Sequence, residues 1–320
     1  MSAVPSPATG QGRQSQFVDG PVHVISPASS ANLGPGFDAL AMALSLHDEI
    51  EVEVTVAGLD IEIDGIGAGD IPRDETHLVI TAMRATFAHL EVAPSGLRLR
   101  CHNSIPHGRG LGSSAAAIVG GVVAARALVR DGGQRLDDAE ALRLAADLEG
   151  HPDNVAAALY GGLTIAWTDA SGARAVARTT DMSVVAFVPP EPVATVVARG
   201  LLPTEVPHAD AARNAGRAAL LVAALDGRPD LLLAATEDAL HQSFREPAMP
   251  LSLALVRALR ADGVAAVISG AGPTVLAYDP TRRPQQDWAK LAPRGWDCHV
   301  LSVDPDGARI VDSHDMLPVR

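Results

Sequence analysis

One segment constrains this chain more than any other: Gly108-Arg109-Gly110-Leu111-Gly112-Ser113-Ser114, between a strand pattern at residues 97–101 and a small-residue helix pattern at 115–129. Glycine at every second position permits positive φ and lets backbone N–H groups approach an anion. A helix opening at Ser113 adds its positive dipole end and its unpaired N–H groups. The pattern predicts a phosphate cradle, with the Ser114 hydroxyl placed to reach a metal bridging the phosphates, since Mg2+ takes oxygen ligands. The alternative is a tight strand-to-helix turn with no ligand. Two better-known loops do not fit. A Walker A loop has Gly-Lys before Ser or Thr, where this chain has Leu111-Gly112. A dinucleotide fingerprint wants glycine or alanine where Ser113 stands, and an acidic residue ending a following strand.

Charge makes the loop more telling. The 320 residues carry a net charge of -13 and a single lysine, Lys290. The global field repels nucleic acid and anionic membranes, so neither is expected as a partner. An anionic substrate must be held locally, by backbone N–H groups, arginines and a metal. With 47% hydrophobic residues the chain exceeds one minimal core, and two lobes are expected. Cys101 and Cys298 read as reduced thiols of a cytosolic protein. The first twenty residues, rich in Ser, Pro, Gln and Gly with no signal-peptide core, read as a tail.

Periodicity supplies a coarse element order. A strand at residues 22–25 is expected to enter a loop at 26–36. Ile50, Val52, Val54 and Val56 alternate with Glu49, Glu51, Glu53 and Thr55, the signature of a strand wet on one face. Thr76 is expected to cap a helix reaching His89. Asp137 with Glu140 forms a capping box for a helix ending near Glu149. Further strands are expected at 163–167, 183–188, 264–268 and 275–278, with helices at 210–225, 229–241 and 251–261.

Three other segments carry polar groups suited to a ligand. In Ser29-Ser30-Ala31-Asn32-Leu33-Gly34-Pro35-Gly36-Phe37-Asp38, an amide and a carboxylate flank a Gly-Pro-Gly turn; an Asx-type turn is the plainer reading. Glu149-Gly150-His151-Pro152-Asp153-Asn154 offers Glu149 as a Mg2+ partner of Ser114, and His151 and Asn154 for substrate, against ordinary helix C-cap chemistry. One His with two carboxylates fits no usual zinc set. Ser269-Gly270-Ala271-Gly272 joins two apolar strands and by itself suggests only a hairpin. Arg217 and Arg245 stand beside polar residues in apolar stretches, and their guanidinium forks suit a carboxylate.

Taken together, these segments resemble the GHMP kinases. The Asn32-to-Asp38 loop and His151-Pro152-Asp153-Asn154 narrow the resemblance to the homoserine kinase family. It spans roughly residues 22–278. The resemblance implies an α+β, two-lobed GHMP kinase fold with ATP and substrate bound between the lobes: residues 1–20 as a tail, 21–170 as the ATP-binding lobe, 171–320 as the second. It implies that Pro106, His107, Gly108, Arg109, Gly110, Leu111, Gly112, Ser113, Ser114, Ala115 and Ala116 wrap the ATP phosphates, with Ser114 and Glu149 holding Mg2+. Asn32, Asp38, His151 and Asn154 would contact L-homoserine, Asp38 taking its ammonium, and Arg217 and Arg245 its carboxylate. Ser269 to Gly272 would be the third family loop. Asn154 stands where mevalonate-type relatives place an aspartate base, so a mechanism without a dedicated base is implied. A cytoplasmic homodimer is the family's habit. The rivals are a mevalonate- or sugar-type kinase of the same superfamily, and a non-catalytic metabolite-binding relative.

Overall fold

The alternation at Glu49 to Thr55 belongs to a strand much longer than its pattern marks. The computed structural model describes residues 16–312, and in it β1 (Val22–Asn32) pairs antiparallel with the twenty-residue β2 (Gly36–Thr55) along almost its whole length. The loop expected at 26–36 is therefore strand as far as Asn32. Ser26, Ser29 and Ser30 are buried, and a register shift at Pro27/Ala28 absorbs the proline, which a regular ladder cannot use as a donor. Only Leu33, Gly34 and Pro35 turn the chain. Val56 lies beyond the strand and is 83% exposed.

The first sheet runs β11-β1-β2-β4-β3. Its members include β3 (Gly58–Gly65), parallel to β4 (Gly96–Asn103), and the late β11 (Arg309–Val311). The other half of β2 pairs β5 (Leu163–Asp169), which in turn pairs β6 (Gly172–Arg178). One core joins this sheet to α1 (Leu78–His89), α2 (Ser113–Leu128), α3 (Asp138–Glu149) and α4 (Pro152–Tyr160). Small residues bring α2 close: a Cβ at Gly121 would meet Val79 O of α1 at 2.6 Å. Asp137 and Glu140 form the expected capping box on α3. Thr76 does not cap α1; its hydroxyl is taken by Asp74, and the helix starts one residue past His77.

The second sheet runs β10-β7-β9-β8, from β7 (Ser183–Val188), β8 (Ala266–Ile268), β9 (Val275–Tyr278) and β10 (Asp297–Ser302). Around it lie α5 (Thr195–Gly200), α6 (His208–Leu225) and α7 (Pro250–Ala261). The helix expected at 229–241 is only two single turns, Pro229–Leu231 and Leu232–Ala235. After them Asp238 accepts the N–H groups of Leu240, His241 and Gln242, competing with helical bonding. A core built from both sheets, including Leu33, Met42, Leu44, Leu111, Val184, Val267 and Leu276, joins the halves. The expected division at 170/171 falls inside the β5–β6 hairpin; the change of sheet comes between Arg178 and Ser183, and β11 returns to the first sheet. Residues 1–15 of the expected tail lie outside the described residues. Phe17 does not behave as tail: it is buried, with its ring edge-on to Phe87 at 6.0 Å.

Candidate active site

The glycine segment opens α2 as its sequence demands. Gly112 is the N-cap in the left-handed region (φ 68), with no side-chain cap and no acidic residue in the first turn. The first-turn N–H groups therefore face the cleft without an internal acceptor, the condition for an anion site. His107 braces the loop: its Nε2 donates to Ile66 O (3.2 Å), so Nδ1 accepts the Ser113 hydroxyl (2.8 Å). Arg109 is spent on carbonyl groups. Its guanidinium binds Pro189 O (3.1 Å), His107 O (2.6 Å) and Pro190 O, tying the loop to the second sheet's side of the cleft.

Three loops then knit together backbone to backbone. Ser29 N donates to Leu111 O (3.0 Å), Gly270 N to Ala31 O (2.9 Å), and Thr274 N to Arg109 O (3.2 Å). Ser269 Oγ contacts Ser30 Oγ (2.8 Å) and Gly110 O (2.6 Å). Asn32, itself left-handed at φ 67, donates from Nδ2 to Gly270 O (2.8 Å) and accepts Asp38 N–H at Oδ1 (3.0 Å). The segment that alone suggested a hairpin is thus part of the site's frame.

A cleft of about 650 Å³ lies against these loops. On its wall Ser114 Oγ donates to Glu149 Oε1 (2.7 Å), and burial raises the Glu149 carboxyl above its usual range. A hydroxyl and a carboxylate form a hard-oxygen pair suited to Mg2+. Among the described residues no cluster of three or more His, Cys, Asp or Glu side chains could hold a metal, so an ion here needs phosphate oxygens and water to complete its shell. Beside this pair, Asp153 is buried and accepts from His151 Nδ1 (2.9 Å) and Asn154 N–H (2.8 Å). That bond holds the His151 pKa above its ordinary value. The Ser29 hydroxyl donates to Asn154 Oδ1 (2.9 Å), which leaves the Asn154 amide N–H groups as the free donors.

The arginines divide differently from what the sequence suggests. Arg245 lines the cleft, 1% exposed; its Nη1 donates to Gly270 O (2.9 Å) and to Nδ1 of His241 (3.1 Å), whose Nε2 donates to Gly34 O (2.7 Å). Its Nε has no partner among the described residues. Burial, with Arg199 nearby, lowers Arg245 to about 10, so it stays charged at neutral pH. Arg217 is not brought to the cleft. Asn214, one turn earlier, is pinned to Pro35 O and Ala239 N, and Arg217 pairs with Glu237 at 2.7 Å. We expect Arg217→Ala to leave the KM for the small substrate within about twofold, as for other half-exposed ion pairs; a tenfold rise in steady-state assays would return Arg217 to the site. Arg199 of α5 also lines the cleft, and no sequence motif marks it. Its fork binds both oxygens of Asp38, at 3.0 and 2.7 Å, so Asp38 stands behind Arg199 rather than open to the cleft. Lys290 pairs with Asp287 at the surface.

The cleft is also lined by Ile50, Ile71, Leu78 and Val79, together with the polar side chains of Asp48, Asp70, Thr76, His77 and Asn103. Asp48 accepts the N–H groups of Ser104 and Ile105 and is pushed by burial up to about 6. His77 is lowered by burial, and its Nδ1 has no partner among the described residues.

Comparisons with known proteins point to one family. The family described as GHMP kinases N terminal domain matches residues 77–162. The homoserine kinase of Streptomyces avermitilis is 55% identical over 292 residues, covering 91% of this chain and 95% of that protein. The homoserine kinase of Streptomyces coelicolor is likewise 55% identical over 292 residues, 91% of this chain and 94% of that one. The crystal structure of homoserine kinase from Cytophaga hutchinsonii superposes with a TM-score of 0.81 at 26% identity, covering 92% of this chain and 99% of that chain.

Proposed function

Since the chain belongs to the homoserine kinases of the GHMP superfamily, we propose that its cleft transfers the γ-phosphoryl group of ATP to the side-chain hydroxyl of L-homoserine, giving O-phospho-L-homoserine for threonine biosynthesis. The observation that carries the reading is a convergence. One cleft holds an uncapped helix N-terminus, the Ser114–Glu149 oxygen pair, the Asn154 amide and the guanidinium groups of Arg199 and Arg245.

The residues divide the labour by chemistry. The N–H groups from Gly108 to Ala115 take the phosphates, and the part of the cleft lined by Ile50, Ile71, Leu78, Val79, Asp48, His77 and Asn103 takes the base. Ser114 and Glu149 would hold Mg2+, which supplies charge neutralisation at the transferring group. Arg245 and Arg199 take the substrate carboxylate; Asp38, set by Asn32, takes the ammonium, and His151 lies alongside. Asn154 donates an amide N–H to the substrate hydroxyl oxygen and so aims a lone pair at the γ-phosphorus. An amide donor cannot accept the hydroxyl proton, and Asp153 is already engaged by His151 and Asn154. The O–P bond to homoserine forms as the bond to ADP breaks, and the proton leaves late to a phosphate oxygen or water. A loose transition state needs positioning and charge stabilisation more than a strong base.

The division into lobes either side of Arg178 to Ser183, a homodimeric assembly and a cytoplasmic setting belong to the same proposal. No helix among the described residues is long and apolar enough to cross a membrane. The test is ADP release with MgATP across a panel of L-homoserine, mevalonate and simple sugars. Homoserine should exceed the others in kcat/KM by at least about a hundredfold, since sites built on polar pairing reject analogues that lack it. Comparable turnover of mevalonate would sink the assignment.

A further inference from the structure

The two charges assigned to a zwitterionic substrate already satisfy each other. Arg199 and Asp38 form a two-pronged pair, each about one-third exposed, across 161 residues of sequence. Asp38 is locked in place, at φ 54 with its N–H held by Asn32. Arg199 rides on the six-residue α5, whose Val196 and Val197 are exposed at 78% and 53%, and its guanidinium lies 5.7 Å from the Phe37 ring. Arg245 lies at the same distance from that ring. The carboxylate is thus fixed, and the cation sits on a short, lightly packed helix.

We propose that Asp38 and Arg199 form a specificity lock, an internal ion pair that yields only to a ligand bringing both an ammonium and a carboxylate. The inference rests on the homoserine reading of the site. A zwitterion trades one ion pair for two. A hydroxy acid without an ammonium can use Arg199 beside Arg245 only by drawing it from Asp38, which leaves that carboxylate unpaired; an amino alcohol does the reverse to Arg199. Rejection of singly charged alcohols then comes from an unmade pair rather than from shape.

The test uses the full chain and three ligands: L-homoserine, 4-hydroxybutanoate, which lacks the ammonium, and 3-aminopropan-1-ol, which lacks the carboxylate. Affinities are read by calorimetry, and turnover by ADP release. Asp38→Asn should weaken homoserine yet bind 4-hydroxybutanoate at least about tenfold tighter than wild type, because Arg199 is released. Arg199→Gln should tighten 3-aminopropan-1-ol by a similar factor for the mirrored reason. Thermal melting checks that each variant is folded, and either folded variant is by itself enough to test the lock. Analogue affinities no tighter than in wild type overturn the lock. Wild type that turns over homoserine with no such gain loses the lock alone; wild type that releases no ADP with homoserine loses the assigned activity, whichever way the analogues bind.

Discussion

Gly110→Val should weaken ATP binding severely, and the fold adds a reason that the sequence does not show. The motif alone implies that a side chain there crowds the phosphate. In the fold, a Cβ at residue 110 collides first with the backbone oxygen of Ser269 and lies 2.9 Å from Gly272 O. Gly110 also sits at φ 77, a region that costs a β-branched residue about 1–3 kcal/mol. The two effects add, because the third loop must leave the phosphate loop before the new side chain fits. ATP affinity should fall by at least about a hundredfold, and the melting temperature by about 2 °C for each kcal/mol lost. Gly263→Ala separates strain from collision. Gly263 has φ 80 and open space around its Cβ position, so it should lose about 1 kcal/mol of stability and leave ATP affinity untouched. Calorimetric affinity of Gly110→Val within threefold of wild type would reduce the segment to a plain turn.

Glu149→Gln should cost at least about a hundredfold in turnover, the scale of losing one preorganised electrostatic partner at a transferring group. The substitution keeps an oxygen to accept the Ser114 hydroxyl and removes only the charge that would hold the metal. Binding of the nucleotide by the α2 N–H groups should persist, so the ATP dissociation constant should move by no more than a few-fold. Turnover near wild type would take Glu149 out of the reaction.

How much of this can be read in the sequence depends on how local the determining contacts are. The start of α2 at Ser113, the capping box on α3 and the end of that helix at Gly150 are set by neighbours in the chain, and all are legible. Ser26 to Asn32 looks like loop because composition hides its role: small polar residues pair with β2 and are buried. Residues 229–241 look helical from their leucines, yet the Asp238 carboxylate takes the N–H groups a helix would use. The choice of Arg217 fails for a similar reason. Asn214 makes Arg217 look like a site residue, whereas that amide secures the Pro35 turn and leaves Arg217 to Glu237. Arg199 is invisible, since nothing near it in sequence points to Asp38, 161 positions away.

The stitching of the third loop to the first also fixes when competence can arise. Asn32 meets Gly270 across 238 residues, and Ser30 meets Ser269 across 239. The equilibrium penalty of so long a closure is modest, since each doubling of a loop adds only about 0.6 kcal/mol. The kinetic consequence is larger, because contacts this remote form after local ones. A nascent chain emerging N-terminus first can complete α2 and its array of N–H groups long before Ser269 has been synthesised, at about 5–20 residues per second. Until then the cradle lacks its brace, and β1 still waits for β11 to cover its edge. Catalytic competence is thus among the last properties this polypeptide acquires during biosynthesis, and loosening of the second sheet would remove it while most of the first still stood.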